Sequence, residues 1–304
     1  MSEAVRSEVE SRAEAVTPPG IRWFPLVWFS ALLLIAYAVV LARTARLWVD
    51  DLNMSHGMFV PILVAYIVWQ ERHALRAARF SHDRSGLVLM VIGAALLCMG
   101  PPKLDTFAFA TRVGFMFSLT GTILYLCGFA TIRLLAYPLV LLFMMFPLPG
   151  FVLERFTLPL QLTASKLAEQ LLEWFGYSVM RDGNILQLPG QTLSIAEACS
   201  GLRSLMALTF LAQAYVYMFD KRPWMRLVIA ICVVPIAVFA NGARIVATAI
   251  AGSYRKEWAE GTFHESTAWV VFAVTFVCIV VTHRLIDTVH RRSYSKRSQR
   301  CSTT

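Results

Sequence analysis

Charged side chains are scarce in this 304-residue sequence: Asp, Glu, Lys and Arg together make 15%, while 57% of residues are hydrophobic. A soluble domain of this size carries about 25% charged residues and about 50% apolar ones. The shortage excludes a cytosolic enzyme and an ordinary nucleic-acid binder. Paired cysteine spacing is missing too. Cys98, Cys127, Cys199, Cys232, Cys278 and Cys301 form no CxxC. That removes a secreted disulfide scaffold and a zinc ribbon, and neither a metal site nor a cofactor is expected. Polar residues fill the first twenty positions, so a cleavable signal peptide is not expected either. What is abundant is apolar sequence in blocks, separated by short basic or Gly/Pro-containing connections.

Crossing about 30 Å of hydrocarbon takes roughly 20 apolar residues. Eight blocks qualify as spans: Trp23–Ala42, Met58–Gln70, Gly86–Gly100, Phe107–Gly128, Ile132–Leu148, Gly201–Phe219, Trp224–Gly252 and Ser266–Leu285. The second and third are short. The expected fold is therefore an all-α polytopic membrane protein of about eight transmembrane helices. Residues 23–285 form the membrane domain, 1–22 a disordered polar tail, and 286–304 a basic tail whose last dozen residues are disordered.

The basic residues orient it. With the N-terminus inside, 17 of the 28 Lys and Arg residues fall in inner segments and eight in outer ones. Short basic connections mark the cytoplasmic side, so both termini are expected there. The surplus of +9 then reports orientation, and the basic tail can also touch anionic lipid.

Residues 149–200 form the one sizeable extracytoplasmic interval. Phe151–Phe175 mixes apolar residues with Glu154, Arg155, Lys166, Glu169 and Glu173, which fits an interfacial amphipathic helix. Tyr177–Glu197 alternates around Asp182-Gly183 and Pro189-Gly190, which predicts a small two- or three-stranded β element. It leads into Glu197-Ala198-Cys199-Ser200-Gly201 at the outer mouth of the sixth span. Cys199 stands at a helix start with Arg203 four residues on, and both features favour thiolate, while Glu197 opposes it. His56 and His264 are the two histidines placed on the same side, so a thiol needing a proton partner there has those two to choose from. Arg244 lies deep in the seventh span, within Asn241-Gly242-Ala243-Arg244. It either snorkels to the outer headgroups or serves as a fixed cation for a tetrahedral oxyanion, with Asn241 one turn away to orient it.

These motifs, in this order, resemble the exosortase/archaeosortase membrane transpeptidases. The resemblance covers most of the chain, from about Trp48 to His264 and beyond. Glu197-Ala198-Cys199-Ser200-Gly201-Leu202-Arg203-Ser204 is similar to the family's nucleophile motif, Asn241-Gly242-Ala243-Arg244-Ile245 to its arginine motif, and Phe263-His264 to its histidine motif. Ser55-His56-Gly57 with Val60-Pro61, and Pro147-Leu148-Pro149, match further recurring blocks. The resemblance implies Cys199 as nucleophile, Arg244 as transition-state stabiliser and His264 in proton transfer, with His56, Glu197, Arg203 and Asn241 in support. It implies membrane-anchored substrate proteins with a C-terminal Pro-Glu-Pro-type signal, cut at the outer face of a bacterial inner membrane and passed to an acceptor. Such systems accompany exopolysaccharide production. The additional C-terminal domain that some members carry has no counterpart in the roughly 20 polar residues after the eighth span.

Rival readings make distinct expectations. A thiol protease would release free product and form no adduct. A non-catalytic polysaccharide-export component or transporter would survive Cys199→Ser. A serine mechanism through Ser200 would be lost with Ser200→Ala.

Overall fold

The computed structural model describes residues 23–78, 81–99, 105–189, 191–194, 201–254 and 262–301, which are mostly helical with one small sheet. They divide into two compact units, one from the described parts of Met1–Leu47 and Gly57–Pro147, the other from those of Trp48–His56 and Leu148–Thr304.

The first unit is helical. It contains α1 (Trp23–Ala36), most of α2 (Ala38–Asp50), α3 (Phe59–Gln70), the short α4 (Arg72–Ala77), α5 (Ser85–Cys98), α6 (Asp105–Cys127) and α7 (Phe129–Phe143). A 3-10 helix, Leu52–Met58, precedes α3. Helices α5 and α6 meet backbone to backbone. Gly86 and Gly93 on one, and Gly114 and Gly121 on the other, are seven residues apart, about two turns, so each pair shares one face. A Cβ on Gly86 would lie 2.5 Å from the Gly121 carbonyl oxygen, and one on Gly121 would lie 2.7 Å from that of Gly86. Lipid tails give apolar helices no reason to associate by burial, so close approach at small residues supplies the contact. Tyr37 anchors to the same seam: its hydroxyl donates to the Gly93 carbonyl at 2.8 Å and lies 2.9 Å from Ser118 Oγ.

The second unit carries α8 (Gly150–Trp174), β1 (Met180–Asp182), β2 (Ile185–Leu188), β3 (Gln191–Ser194), α9 (Gly201–Phe219), α10 (Pro223–Tyr254) and α11 (Thr262–Cys301). Extended Pro149 opens α8, its carbonyl accepting from the N–H groups of Val152 and Leu153. Gly176, at φ +84°, closes it: Tyr177 N–H reaches Leu172 O and Gly176 N–H reaches Glu173 O, the paired bonds of a left-handed helix cap. The strands form an antiparallel meander in the order β1-β2-β3, with Asp182 opposite Ile185 and Leu188 opposite Gln191. Alternation buries Leu186 and Leu188, which join Ala164, Ala168 and Leu172 of α8 and Ile245, Val246 and Ala249 of α10 in one apolar cluster. A second cluster, Leu208, Ala212 and Val216 with Met225, Ile229, Val233 and Ile279, packs α9, α10 and α11 together.

Apolar helix overlaps each of the eight expected blocks, though eight membrane crossings are not shown, and residues 150–194, between the fifth and sixth blocks, form the expected helix plus β element. Three helices are long and apolar enough to cross a bilayer: Phe107–Cys127, Pro223–Tyr254 and Trp269–Arg292. A fourth qualifies if α1 and α2 count as one span; they bend by 66° at Tyr37, where the sequence predicts an unbroken helix. No Gly or Pro marks that break; a buried tyrosine tied to two neighbouring helices does. The C-terminal dozen also departs from expectation, because α11 continues through Cys301 instead of dissolving into coil. No glycine or proline interrupts it from Thr262 onward, and Asp287 pairs with Arg291 one turn later, Nε to Oδ2 2.9 Å. The first 22 residues lie outside the described residues.

Candidate active site

The deep cation of α10 faces protein. Arg244 is 5% exposed, with Gly242, Ile245, Val246 and Thr248 also buried, whereas Ala243 and Ala247 point outward and are exposed. A lipid-facing arginine at this depth would cost about 2.5–3.5 kcal/mol, and burial in protein is the alternative to that cost. The snorkelling geometry is therefore not the one adopted. Asn241, half-buried and three residues earlier, shares the inward face, and both residues have interaction partners.

Two elements bracket Arg244 along α10. On one side α8 crosses at Gly242, so closely that a Cβ there would sit 2.8 Å from Leu167 Cδ2. On the other the β meander rests on Ile245, Val246 and Ala249 through Leu186 and Leu188. Gln191, the first residue of β3, donates from Nε2 to the Ala249 carbonyl at 2.7 Å, pinning the sheet to α10. Ser165 Oγ donates to the Gly183 carbonyl at 3.0 Å, and Arg181 pairs with Glu169 at 2.7 Å, so α8 and the meander form one module. Interdigitated apolar side chains make this a rigid frame along α10 on either side of Arg244.

The other expected site residues are placed less fully. Cys199 and Glu197 lie outside the described residues, in the six-residue link between the end of β3 and the start of α9. Arg203 and His264 have their backbones in the first turns of α9 and α11. His56 belongs to this unit and is half-buried, its ring 6.4 Å from that of Phe210 on α9. What the structure adds is the frame. Leu167, Gln191 and Thr248 carry no motif. Only the one-turn offset of Thr248 from Arg244 could have singled it out from sequence.

This frame lies inside the stretch that matches a known family. A family model described as a transmembrane exosortase covers residues 48–281, over three quarters of the chain. The chain belongs to the transmembrane exosortase family. No curated protein and no solved structure matches it. Family membership supports a membrane transpeptidase-type sorting function in general, within a family that acts through cysteine. In this exosortase the matched stretch starts at Trp48 and so takes in His56, the interval with Cys199, and the helices bearing Arg244 and His264.

Proposed function

We propose that this exosortase cleaves the C-terminal Pro-Glu-Pro-type sorting signal of exported, membrane-anchored proteins and transfers the new carboxyl end to an acceptor nucleophile. The observation that supports the reading is the burial of Arg244, a permanent cation on the helix against which α8 and the β meander pack.

In this mechanism the Cys199 thiolate attacks the scissile carbonyl. The tetrahedral oxyanion forms against Arg244, whose fork of N–H donors is fixed before the reaction begins. Collapse breaks the C–N bond, and His264 in its imidazolium form protonates the leaving amine. A thioester remains on Cys199, and the released product keeps the membrane helix and basic tail of the signal. Neutral His264 then deprotonates the acceptor, which displaces Cys199 and regenerates the thiolate. Asn241 orients Arg244, His56 and Glu197 shape the site's edge, and Arg203 or Arg255-Lys256 receives the glutamate of the signal. The meander accepts the extended signal by strand addition.

The reaction requires an outward-facing site in a bacterial inner membrane. Eight spans with both termini cytoplasmic meet that requirement, and the distribution of Lys and Arg favours this orientation. Co-expression with a tagged substrate bearing the signal tests the reading. Wild type shortens the substrate, Cys199→Ala leaves it at full length, and mass spectrometry finds an adduct on the new carboxyl terminus. Equal substrate size in both strains refutes it, and free carboxylate alone turns the transfer into hydrolysis. Deleting 182–189 without loss of processing removes strand addition.

A further inference from the structure

The end of α9, the start of α10 and the middle of α11 are tied by a buried polar cluster to which neither motif nor mechanism assigns a task. Asp220, just past α9, and His283, on α11, are 7% and 5% exposed. His283 Nε2 lies 3.2 Å from Asp220 Oδ2, and its Nδ1 lies 3.1 Å from the Tyr215 hydroxyl on α9. Arg222, just before α10, grips both oxygens of Asp220 through Nε at 3.0 and 3.1 Å and reaches Asp287 on α11 through Nη2. Asp287 in turn accepts from Arg291. Hydrogen bonds from Arg222 hold the Asp220 carboxyl far below the ordinary carboxylate range, so it stays ionised. Apolar residues of similar volume would hold three helices together at least as well, so a buried ionic cluster is weak as a device for stability alone. Its distinguishing property is directional geometry, which fixes register.

The spacing says what that register serves. Asp220 follows Cys199 by 21 residues, Arg244 follows Arg222 by 22, and His283 follows His264 by 19. At about 1.5 Å per residue, the 19-residue α9, the part of α10 up to Arg244 and the part of α11 from His264 to His283 each rise about 30 Å. Between the two ends, the core of Leu208, Ala212, Val216, Met225, Ile229, Val233 and Ile279 keeps the arms in contact. Three helical arms of similar length, tied together at one level, therefore share a register further along.

We propose that Tyr215, His283, Asp220, Arg222 and Asp287 are positioning residues: they set the axial register of α9, α10 and α11 and thereby align Cys199, Arg244 and His264. This rests on the reading of those three as the reacting residues. A slip of about 1 Å between reacting groups can cost about 100-fold in rate. The cluster is remote from substrate, so binding is spared.

The test uses the full chain in membranes with His283→Ala, Asp220→Ala, His283→Gln and Cys199→Ala. Rates are expressed per folded molecule, and alkylation of Cys199 by an impermeant maleimide is followed against pH by peptide mass spectrometry. His283→Ala and Asp220→Ala are expected to accumulate to a lower level and, per folded molecule, to lower kcat by about 100-fold with KM within about twofold and to shift the midpoint of Cys199 alkylation. His283→Gln, which can still bond both Tyr215 and Asp220, restores rate and midpoint. Wild-type rates and midpoints in the alanine variants overturn the proposal, as does a loss confined to folded protein with turnover per molecule unchanged. Processing by Cys199→Ala overturns the underlying reading instead, and it does so with the cluster intact.

Discussion

Among the described residues, both units bury hydroxyls, but the second alone also buries charged side chains. The hydroxyls of the first unit are those of Tyr37, Thr44, Thr111, Ser118, Thr122 and Thr131. The threonines answer to their own helices, Thr44 to Val40 O, Thr111 to Ala108 O, Thr122 to Ser118 O and Thr131 to Cys127 O. Such groups are satisfied locally and cost little inside a membrane. The second unit also buries hydroxyls, Ser165, Thr248 and Thr275, and adds Arg244, Asp220, His283 and Gln213. Ionisable side chains are expensive in that setting and persist where a task requires them. The difference separates a scaffold, held by glycine contacts, from a unit built around charge.

Breaking that contrast has graded consequences. Arg244→Ala is expected to lower processing by about 100- to 1,000-fold, the scale of removing an oxyanion donor. Arg244→Lys should recover little, because a point charge does not reproduce the fork. Thr122→Val and Thr131→Val in the first unit should leave rates within about twofold, as expected for a lost helix-local bond. Comparable losses in both sets, read from substrate shortening, would erase the distinction.

Next in size, Gly121→Leu should destabilise the first unit by about 1–3 kcal/mol, since the new side chain meets backbone with no room to yield. The readout is membrane abundance and thermal aggregation, with activity per folded molecule unchanged. Gln191→Ala removes a single bond to Ala249 O and should cost about 1 kcal/mol. Because it loosens the frame beside Arg244, it should also slow processing several-fold. The smallest effect belongs to Glu169→Gln. Its partly exposed pair with Arg181 should contribute less than about 1 kcal/mol and fade with salt.

The pH dependence of stability is a separate probe of the charged unit. Asp220 has a depressed folded-state pKa, so its contribution is complete above the ordinary carboxylate value of about 4. It is lost as pH falls from there through the folded value. The contribution of Asp220 to thermal stability should therefore be the same at about pH 5 and about pH 8, and the acid-side decline should be shallower in the Asp220→Asn variant than in wild type.

Much of this was readable from sequence because the governing signals are local. A charge within an apolar run, Arg244, is visible without any neighbour. Asp182-Gly183 punctuates β1 and β2, and Phe175-Gly176 ends α8, because turn chemistry is a property of a few adjacent residues. What stayed hidden depends on partners far along the chain. Tyr37 breaks the first span by bonding residues 56 and 81 positions away. The glycine seam needs the register of α5 against α6, and the cluster at Asp220 needs His283, 63 residues on. The helical tail is hidden for another reason: polar composition resembles coil, but Arg, Lys and Gln are good helix formers once a long helix is already running.

The central claim is that Cys199 forms the covalent intermediate. The most direct measurement traps it: substrate is incubated with membranes lacking an acceptor, quenched in acid, and analysed by intact mass and peptide mapping. The account predicts a thioester joining Cys199 to the substrate's new carboxyl end, cleaved by hydroxylamine and absent in Cys199→Ala. Substrate cleavage without that adduct, or an adduct on Ser200, would contradict it.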